Sequence, residues 1–265
     1  MITAGVIGAT GYAGSQLVAL LAAHPEVTIT YLASHSYSGR TFGEIYPSLK
    51  AICDLPLCEE EIEVASNLCD VLFLALPHGM ASSKVNEEIL ARCVVIDLGA
   101  DYRLSDSSVY AAWYKTDHPT THLLAESVYG LCELHREAIR GARLIANPGC
   151  YTTCSILTLA PLVSHGLIDP SSIIIDSASG TSGAGRSEKI DSLFCEVNEN
   201  YKAYGVATHR HTPEIEQELS RCQGEAVVVQ FTPHLVPMNR GILSTCYANL
   251  KSGVSEKEIA ASYEA

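Results

Sequence analysis

Positive charge is scarce in this chain. Its 265 residues hold 17 Lys and Arg against 30 Asp and Glu, a formal charge of −13. No Lys/Arg cluster offsets that balance, which argues against a nucleic-acid partner and against an anionic membrane surface. An anionic ligand must then be held by local backbone amides and a few placed cations. No apolar run approaches the roughly 18 residues of a membrane span. The leading segment MITAGVIGATGYAG lacks the basic region and the cleavage site of a signal peptide. Ten cysteines occur without a single CxxC pair, so zinc and thioredoxin-type chemistry lose their main support and no metal is expected. Cysteines without a secretory signal point to a reducing compartment, hence a cytoplasmic protein. Internal repeats and low-complexity linkers are also missing.

Apolar residues make up 47% of the chain and charged residues 18%, enough for a real core in one large or two ordinary domains. The first half alternates strand and helix signals. An apolar strand from Thr3 to Ile7 enters a glycine turn and a helix over Ala13 to Ala23. Strands follow at Val27–Leu32, Val71–Leu76 and Val94–Leu98, with a helical segment over Ala81–Ala91, and Leu144–Ala146 leads into Asn147-Pro148-Gly149. This order predicts an α/β fold with a doubly wound parallel sheet, binding ligands at the carboxyl ends of its strands.

The texture changes near residue 149. A helix-length stretch, Cys150 to His165, precedes a strand over Ile173–Ala178 and a glycine-serine loop. Thr212 and Pro213 read as N-cap and first residue of a helix ending near Cys222. The strands Ala226–Phe231 and Ile242–Leu250 are joined by ten residues, too few for a crossover helix, and are expected to be antiparallel. The expected division is therefore residues 1–148, a nucleotide-binding domain, and 149–265, an α+β domain. Ser255 and Glu258 form a capping box, and the helix they start is expected to run to Ala265 with no terminating Gly, Asn or Pro. On that ground the chain reads as truncated at its C-terminus.

Glycines 8, 11 and 14 of GATGYAG follow a strand and open a helix. Such a turn lets the backbone approach a pyrophosphate at the helix N-terminus, where amides and dipole favour anions. A structural turn is the competing interpretation. An NAD site usually carries an acidic residue at the end of the second strand. Here Leu32-Ala33-Ser34-His35-Ser36, with Arg40 behind, offers hydroxyls and a cation that suit a 2′-phosphate and favour NADP(H).

Cys150 falls where a strand ends and a helix begins, so its sulfur faces the positive end of a helix, which favours thiolate. It alone among the ten cysteines reads as a nucleophile. Beside a nicotinamide, a thiol suggests aldehyde/acyl redox chemistry through a hemithioacetal and thioester. The segment Val206-Ala207-Thr208-His209-Arg210-His211-Thr212-Pro213-Glu214 supplies two imidazoles and a guanidinium before a helix for proton handling.

Several segments in this order resemble the N-acetyl-γ-glutamyl-phosphate reductase family, a branch of the semialdehyde dehydrogenases. They are GATGYAG (8–14), FLALPHG (73–79), DLGADYRL (97–104), ANPGCYTT (146–153), SGTSGAGR (179–186), EVNENYKAY (196–204), THRHTPEIEQ (208–217) and FTPHLVPMNRGIL (231–243). The resemblance implies a Rossmann-type domain followed by a catalytic and dimerisation domain. It also implies NADPH-dependent reduction of N-acetyl-γ-glutamyl phosphate in arginine biosynthesis, by a homodimer or homotetramer. It makes Cys150 the nucleophile and His209 the acid/base, with His211 the second choice. Gly8, Thr10, Gly11, Gly14, Ser34, Arg40 and Ser182 become cofactor ligands, and Arg103, Arg186, Arg210 and His211 substrate ligands. The chain departs from the family at Thr152 and Cys154, where smaller residues are usual, and at His35, where arginine is common. About a quarter of the family's length has no counterpart after Ala265. The alternatives are a lysine-pathway acyl-phosphate reductase, or an inactive nucleotide-binding or oligomerisation fragment.

Overall fold

Short apolar segments of the first 148 residues pair into one sheet in the computed structural model, which describes residues 1–264. The strands are β1 (Ile2–Ile7), β2 (Val27–Ala33), β3 (Leu57–Cys58), β4 (Val71–Leu74), β5 (Val94–Asp97), β6 (Ser127–Tyr129) and β7 (Leu144–Ala146). Their order is β3-β2-β1-β4-β5-β7-β6, and every neighbouring pair is parallel. Parallel strands need crossovers and bury both faces. One face packs Val6, Val18, Leu32 and Phe42, and the other packs Ile7, Leu72, Leu74 and Ile89. The order reverses between β1 and β4, so the glycine turn after β1 stands at the sheet's switch point, where such sheets bind ligands.

Three details of this unit differ from the sequence expectation. The Ala81–Ala91 helix begins only at Glu87, because Asn86 Oδ1 accepts the Ile89 N–H at 3.0 Å and caps it there. Residues 81–85 form turns instead. Strands β3 and β6, of two and three residues, lie at the two edges of the sheet and have no sequence signature of their own.

Contacts divide the chain into Met1–Pro148 and Gly149–Ala265. The second unit holds a four-stranded sheet of β8 (Ile174–Ser179), β9 (Lys202–Ala203), β10 (Gln230–Leu235) and β11 (Ile242–Tyr247), in the order β11-β8-β10-β9. The expected antiparallel neighbours are not neighbours. β8 lies between them, antiparallel to β11 and parallel to β10, so the two run in opposite directions without pairing. The Cys150–Ser164 and Thr212–Gln223 helices pack against each other, and the first also packs on β11. The second starts one residue earlier than expected: His211, and not Thr212, is the N-cap, and Gly224 closes it at φ +80°. The Ser255–Glu258 capping box forms, but its helix ends at Ser262, and the Tyr263 hydroxyl donates to the Thr158 carbonyl. Ala265 lies outside the described residues. Among the described residues no helix is long and apolar enough to cross a membrane.

The carboxyl end of β5 carries an unusual acid. Asp97 is wholly buried; its Oδ1 accepts the Gly99 N–H at 2.9 Å, while Oδ2 makes no hydrogen bond of normal geometry. Burial raises its carboxyl to about 7. The folded protein therefore binds a proton that the unfolded chain releases near pH 4, and stability falls as pH rises between about 4 and about 7. Asp97→Asn removes this dependence. The wild-type minus variant unfolding free energy, from urea titrations, should fall by up to ~1.4 kcal/mol per pH unit inside that window. A difference independent of pH would refute the buried-acid assignment.

Candidate active site

The glycine turn is shaped by close approach. Gly8 sits at φ +79°, and a Cβ there would lie 2.3 Å from the Ala75 carbonyl oxygen. A Cβ at Gly14 would lie 2.2 Å from the Gly8 carbonyl oxygen, so both positions exclude side chains for internal reasons. Gly11 differs: it is the N-cap of the Tyr12–Ala22 helix, and a Cβ would meet only the Gly8 oxygen, at 3.5 Å. That helix has no side-chain cap and no acidic residue in its first turn. Its leading amides thus lack a side-chain acceptor at a position that favours an anion, which fits a dinucleotide pyrophosphate.

Around this turn the buried hydroxyls of Thr10 and Ser34 meet at 2.6 Å, so Ser34 braces the turn from the end of β2. Tyr46 donates to the Thr10 carbonyl at 2.8 Å. Arg40 is exposed and pairs with Glu44 at 3.3 Å, and the His35 N–H donates to Glu60 Oε1 at 3.1 Å. Two carboxylates thus flank the loop that sequence reasoning treated as free of acids. Glu60 was hidden because it follows β3, a strand with no signal.

Arg103 lies in the same unit but at the ends of β5 and β7, away from solvent. Its Nε donates to the Asn147 carbonyl and its Nη2 to the Leu98 carbonyl, both at 2.8 Å. It therefore fixes the backbone just before Cys150. Nearby, the buried Asp101 carboxylate accepts the Gly79 and Ser82 N–H groups at 2.7 and 2.9 Å.

In the second unit Cys150 is the exposed first residue of the 15-residue Cys150–Ser164 helix, with Gly149 as N-cap. Glu214, only 1% exposed, accepts the Gly149 N–H at 3.0 Å and the Thr152 hydroxyl at 2.9 Å. Being in the first turn of the Thr212–Gln223 helix, it ties that helix start to the residue before Cys150. Tyr151, 2% exposed, shares a 2.9 Å hydroxyl contact with Tyr204, and the sulfur of Cys150 acts electrostatically on both phenols, helping burial to push them up.

His209 stands inside this group. Its ring centroid is 5.6 Å from those of Tyr151 and Tyr204, 5.4 Å from Phe231 and 4.8 Å from His211. Burial first, and Arg210 next, lower its imidazole to about 4, against the attraction of Glu214. His211 is half-buried beside it, whereas Arg210 is exposed. Ser182 lies in the Thr181–Ala184 turn, held by donation of its N–H to the Asn239 carbonyl at 3.0 Å, and Arg186 is exposed on the loop beyond. The structure thus gathers Tyr151, His209 and His211 near the start of the Cys150 helix, and separately gathers Gly8, Thr10, Gly11, Gly14 and Ser34. Tyr151, Tyr204, Phe231 and Glu214 were missed as site residues. All four lie in segments that carry the family resemblance, Tyr151 and Glu214 beside candidate site residues, Tyr204 and Phe231 in the segments 196–204 and 231–243 that contain none.

A family model for the semialdehyde dehydrogenase NAD binding domain matches residues 3–142, and one for the semialdehyde dehydrogenase dimerisation domain matches residues 150–265. An N-acetyl-gamma-glutamyl-phosphate reductase from Lachnospira eligens is 51% identical over 266 residues, covering 100% of this chain and 76% of that protein. One from Campylobacter jejuni is 53% identical over 258 residues, covering 97% of this chain and 74% of that protein. The chain thus spans about three quarters of the length of these relatives. Among solved structures, aspartate semialdehyde dehydrogenase II from Vibrio cholerae superposes with a TM-score of 0.74 at 16% identity, covering 100% of this chain and 79% of that one. The enzyme from Candida albicans, solved with NADP, gives 0.65 at 17% identity, covering 99% and 75%. These last two share the fold. Identity above half over nearly the whole chain, with both domain models matched, places the chain in the N-acetyl-γ-glutamyl-phosphate reductase family of semialdehyde dehydrogenases.

Proposed function

We propose that the chain reduces N-acetyl-γ-glutamyl phosphate to N-acetyl-glutamate semialdehyde and phosphate, in arginine biosynthesis, through a thioester on Cys150. The observation that carries this reading is the exposed thiol at the first position of a long helix, with its N-cap held by a buried carboxylate and a neutral imidazole close by. Helix amides there favour both thiolate and an oxyanion. The sulfur attacks the acyl carbon, the bond to phosphate breaks, and hydrogenphosphate leaves with the thiol proton. A bound nicotinamide supplies the hydride that reduces the thioester. The resulting hemithioacetal collapses as the carbon–sulfur bond breaks, with His209 as the residue that meets the changing charge. Exposed Arg210 and Arg186 and the His211 ring supply the cationic and hydrogen-bonding groups for the substrate's phosphate and carboxylate. Arg103 belongs to the same set, and its bonds to the Asn147 and Leu98 carbonyls also give it a share in positioning the Cys150 loop.

The cofactor is NADP(H), held by Gly8, Thr10, Gly11 and Gly14 at the pyrophosphate, by Ser34 and Arg40 at the 2′-phosphate, and by Ser182. The hydroxyl of Ser34 and the charge of Arg40 support this choice, and Glu60 and Glu44 oppose it. Ten cysteines, none of them in a disulfide among the described residues, accord with a reducing cytoplasm.

The second unit carries the dimerisation-domain match, and its sheet offers a face for a second copy. On one side of the sheet Leu243, Tyr247 and Ile174 are 71%, 59% and 45% exposed, Tyr247 in register with Ile174 and Leu243 with Ala178 across β11 and β8. Exposed apolar residues clustered in this way mark an association surface. A homodimer or homotetramer formed through this face is part of the proposal.

Cys150→Ser should lower phosphate-dependent oxidation of the semialdehyde by more than tenfold, above ~1.4 kcal/mol of transition-state stabilisation, while the dissociation constant for NADP stays within about twofold. Retention of more than a tenth of the rate would rule out Cys150 as nucleophile. Fluorescence titration should find NADP binding tighter than NAD; equal constants would remove the role given to Ser34 and Arg40. Leu243→Glu should shift the protein toward monomer in sedimentation velocity, and an unchanged assembly would mean that another surface is used.

A further inference from the structure

We infer that Glu60 is a specificity-determining residue of the cofactor site, and that it narrows the preference for NADP(H) over NAD(H). Its carboxylate holds the backbone amide that the 2′-phosphate of NADP would otherwise reach. The inference rests on the NADP(H) reading above and says how the protein limits it.

The place of the 2′-phosphate follows from the sheet. β1 and β2 are parallel neighbours with Ile7 beside Ala33, and the Gly8 and Ala9 N–H groups donate to the Ala33 carbonyl at 3.1 and 2.9 Å. A pyrophosphate at the glycine turn therefore sets the adenosine ribose over the end of β2, where dinucleotide sites read the 2′ position. Ser34, the first residue past β2, is turned inward. Its N–H donates to the Cys58 carbonyl at 3.1 Å, and its buried hydroxyl meets that of Thr10 at 2.6 Å. His35, the next residue, is exposed, and its N–H donates to Glu60 Oε1 at 3.1 Å. The amide best placed for a 2′-phosphate thus already has an anion for a partner.

The turn that carries Glu60 is fixed by the same strands. β3 runs parallel to β2 with Cys58 beside Ala33, so the chain leaves β3 next to the end of β2. Buried Tyr31 of β2 donates its hydroxyl to the Glu59 carbonyl at 2.8 Å. The Glu61 N–H donates to that same carbonyl at 2.9 Å, which makes Glu60 the middle residue of a tight three-residue turn. Glu60 is half-buried, between the exposed Glu59 and Glu61. The far end of the loop hangs on β3 as well: the Gly39 N–H donates to the Leu57 carbonyl at 2.8 Å, and the Leu57 N–H to the Arg40 carbonyl at 2.7 Å. Loop and acid therefore share one support.

Charge then works against the phosphate. Arg40 Nε meets Glu44 Oε2 at 3.3 Å, and that oxygen also accepts the Thr41 N–H at 3.1 Å, so the guanidinium is partly balanced before any ligand arrives. A phosphate monoester carries between one and two negative charges. Each of them, about 5 Å from a carboxylate in water, costs about fourfold in binding. NAD has a neutral hydroxyl at this position, which escapes the repulsion and can donate to a carboxylate. The fold thus supplies from β3 the acid that NAD sites usually carry at the end of the second strand.

The test is calorimetric titration of the full chain, E60Q and E60A with NADP and with NAD, at low ionic strength. E60Q keeps the size of the side chain and an acceptor oxygen but loses the charge. Expected is a rise of at least about threefold in the ratio of the NAD to the NADP dissociation constant in E60Q, and a rise at least as large in E60A. NAD lacks the 2′-phosphate, so in each variant it controls for damage to the rest of the site. A ratio that is unchanged or lower in either variant would overturn the inference. Equal wild-type constants would remove the role given to Ser34 and Arg40, and a ratio that rises in both variants would still support Glu60. Wild-type protein that binds neither nucleotide would overturn the cofactor reading and this inference together.

Discussion

The buried carboxylate of Glu214 is the contact on which the arrangement around Cys150 depends. A carboxylate out of water must be satisfied by donors, and here the donors include the N–H of Gly149 and the hydroxyl of Thr152. Hydrogen bonds to a charged group contribute about 1.5–3 kcal/mol, and leaving the charge without them costs more. The contact therefore fixes the N-cap residue, and with it the direction of the first helical turn, which begins at Cys150. It also fixes the start of the Thr212–Gln223 helix, because Glu214 lies in that helix's first turn. The His211 N–H that donates to His209 Nδ1 belongs to the same helix start. One buried carboxyl group thus ties the residue before Cys150 to the helix start whose amide meets His209.

The two units solve the same problem, holding negative charge, by different means. In the first unit the glycine turn strips away side chains so that backbone amides remain for a ligand. In the second, the Cys150 helix starts with an N-cap held by Glu214, and its buried Tyr151 packs against His209 and Phe231. The acids at the end of β5 follow the same logic in reverse. Asp101 is ringed by donors, whereas Asp97 has a single good one and takes up a proton instead.

Much of this was legible in the sequence because it depends on local chemistry. Glycines 8, 11 and 14 after an apolar strand, the capping box at Ser255, and Asn147-Pro148-Gly149 before a helix each express a backbone requirement that only certain residues meet. Features that depend on partners far along the chain were not legible. Strands β3 and β6 exist because longer neighbours supply a ladder, and two or three residues carry no periodicity. The short link between β10 and β11 suggested a hairpin, but β8, contributed from 50 or more residues earlier, takes the place between them. Asn86 was a readable cap that the helical pattern of Ala81–Ala91 masked. Tyr204 and Phe231 come to His209 only through tertiary packing, so no spacing rule could have paired them.

Net charge closes the argument about how an anionic substrate is held. At −13 the chain repels anions at long range. At physiological ionic strength the Debye length is about 8 Å, so that repulsion fades within the width of a side chain or two and leaves local donors to decide. On the proposed reading the local donors are helix amides at Cys150 and the exposed guanidiniums of Arg210 and Arg186. On that reading the helix amides at Cys150 discriminate best, because their bonds strengthen only when negative charge collects on the acyl oxygen.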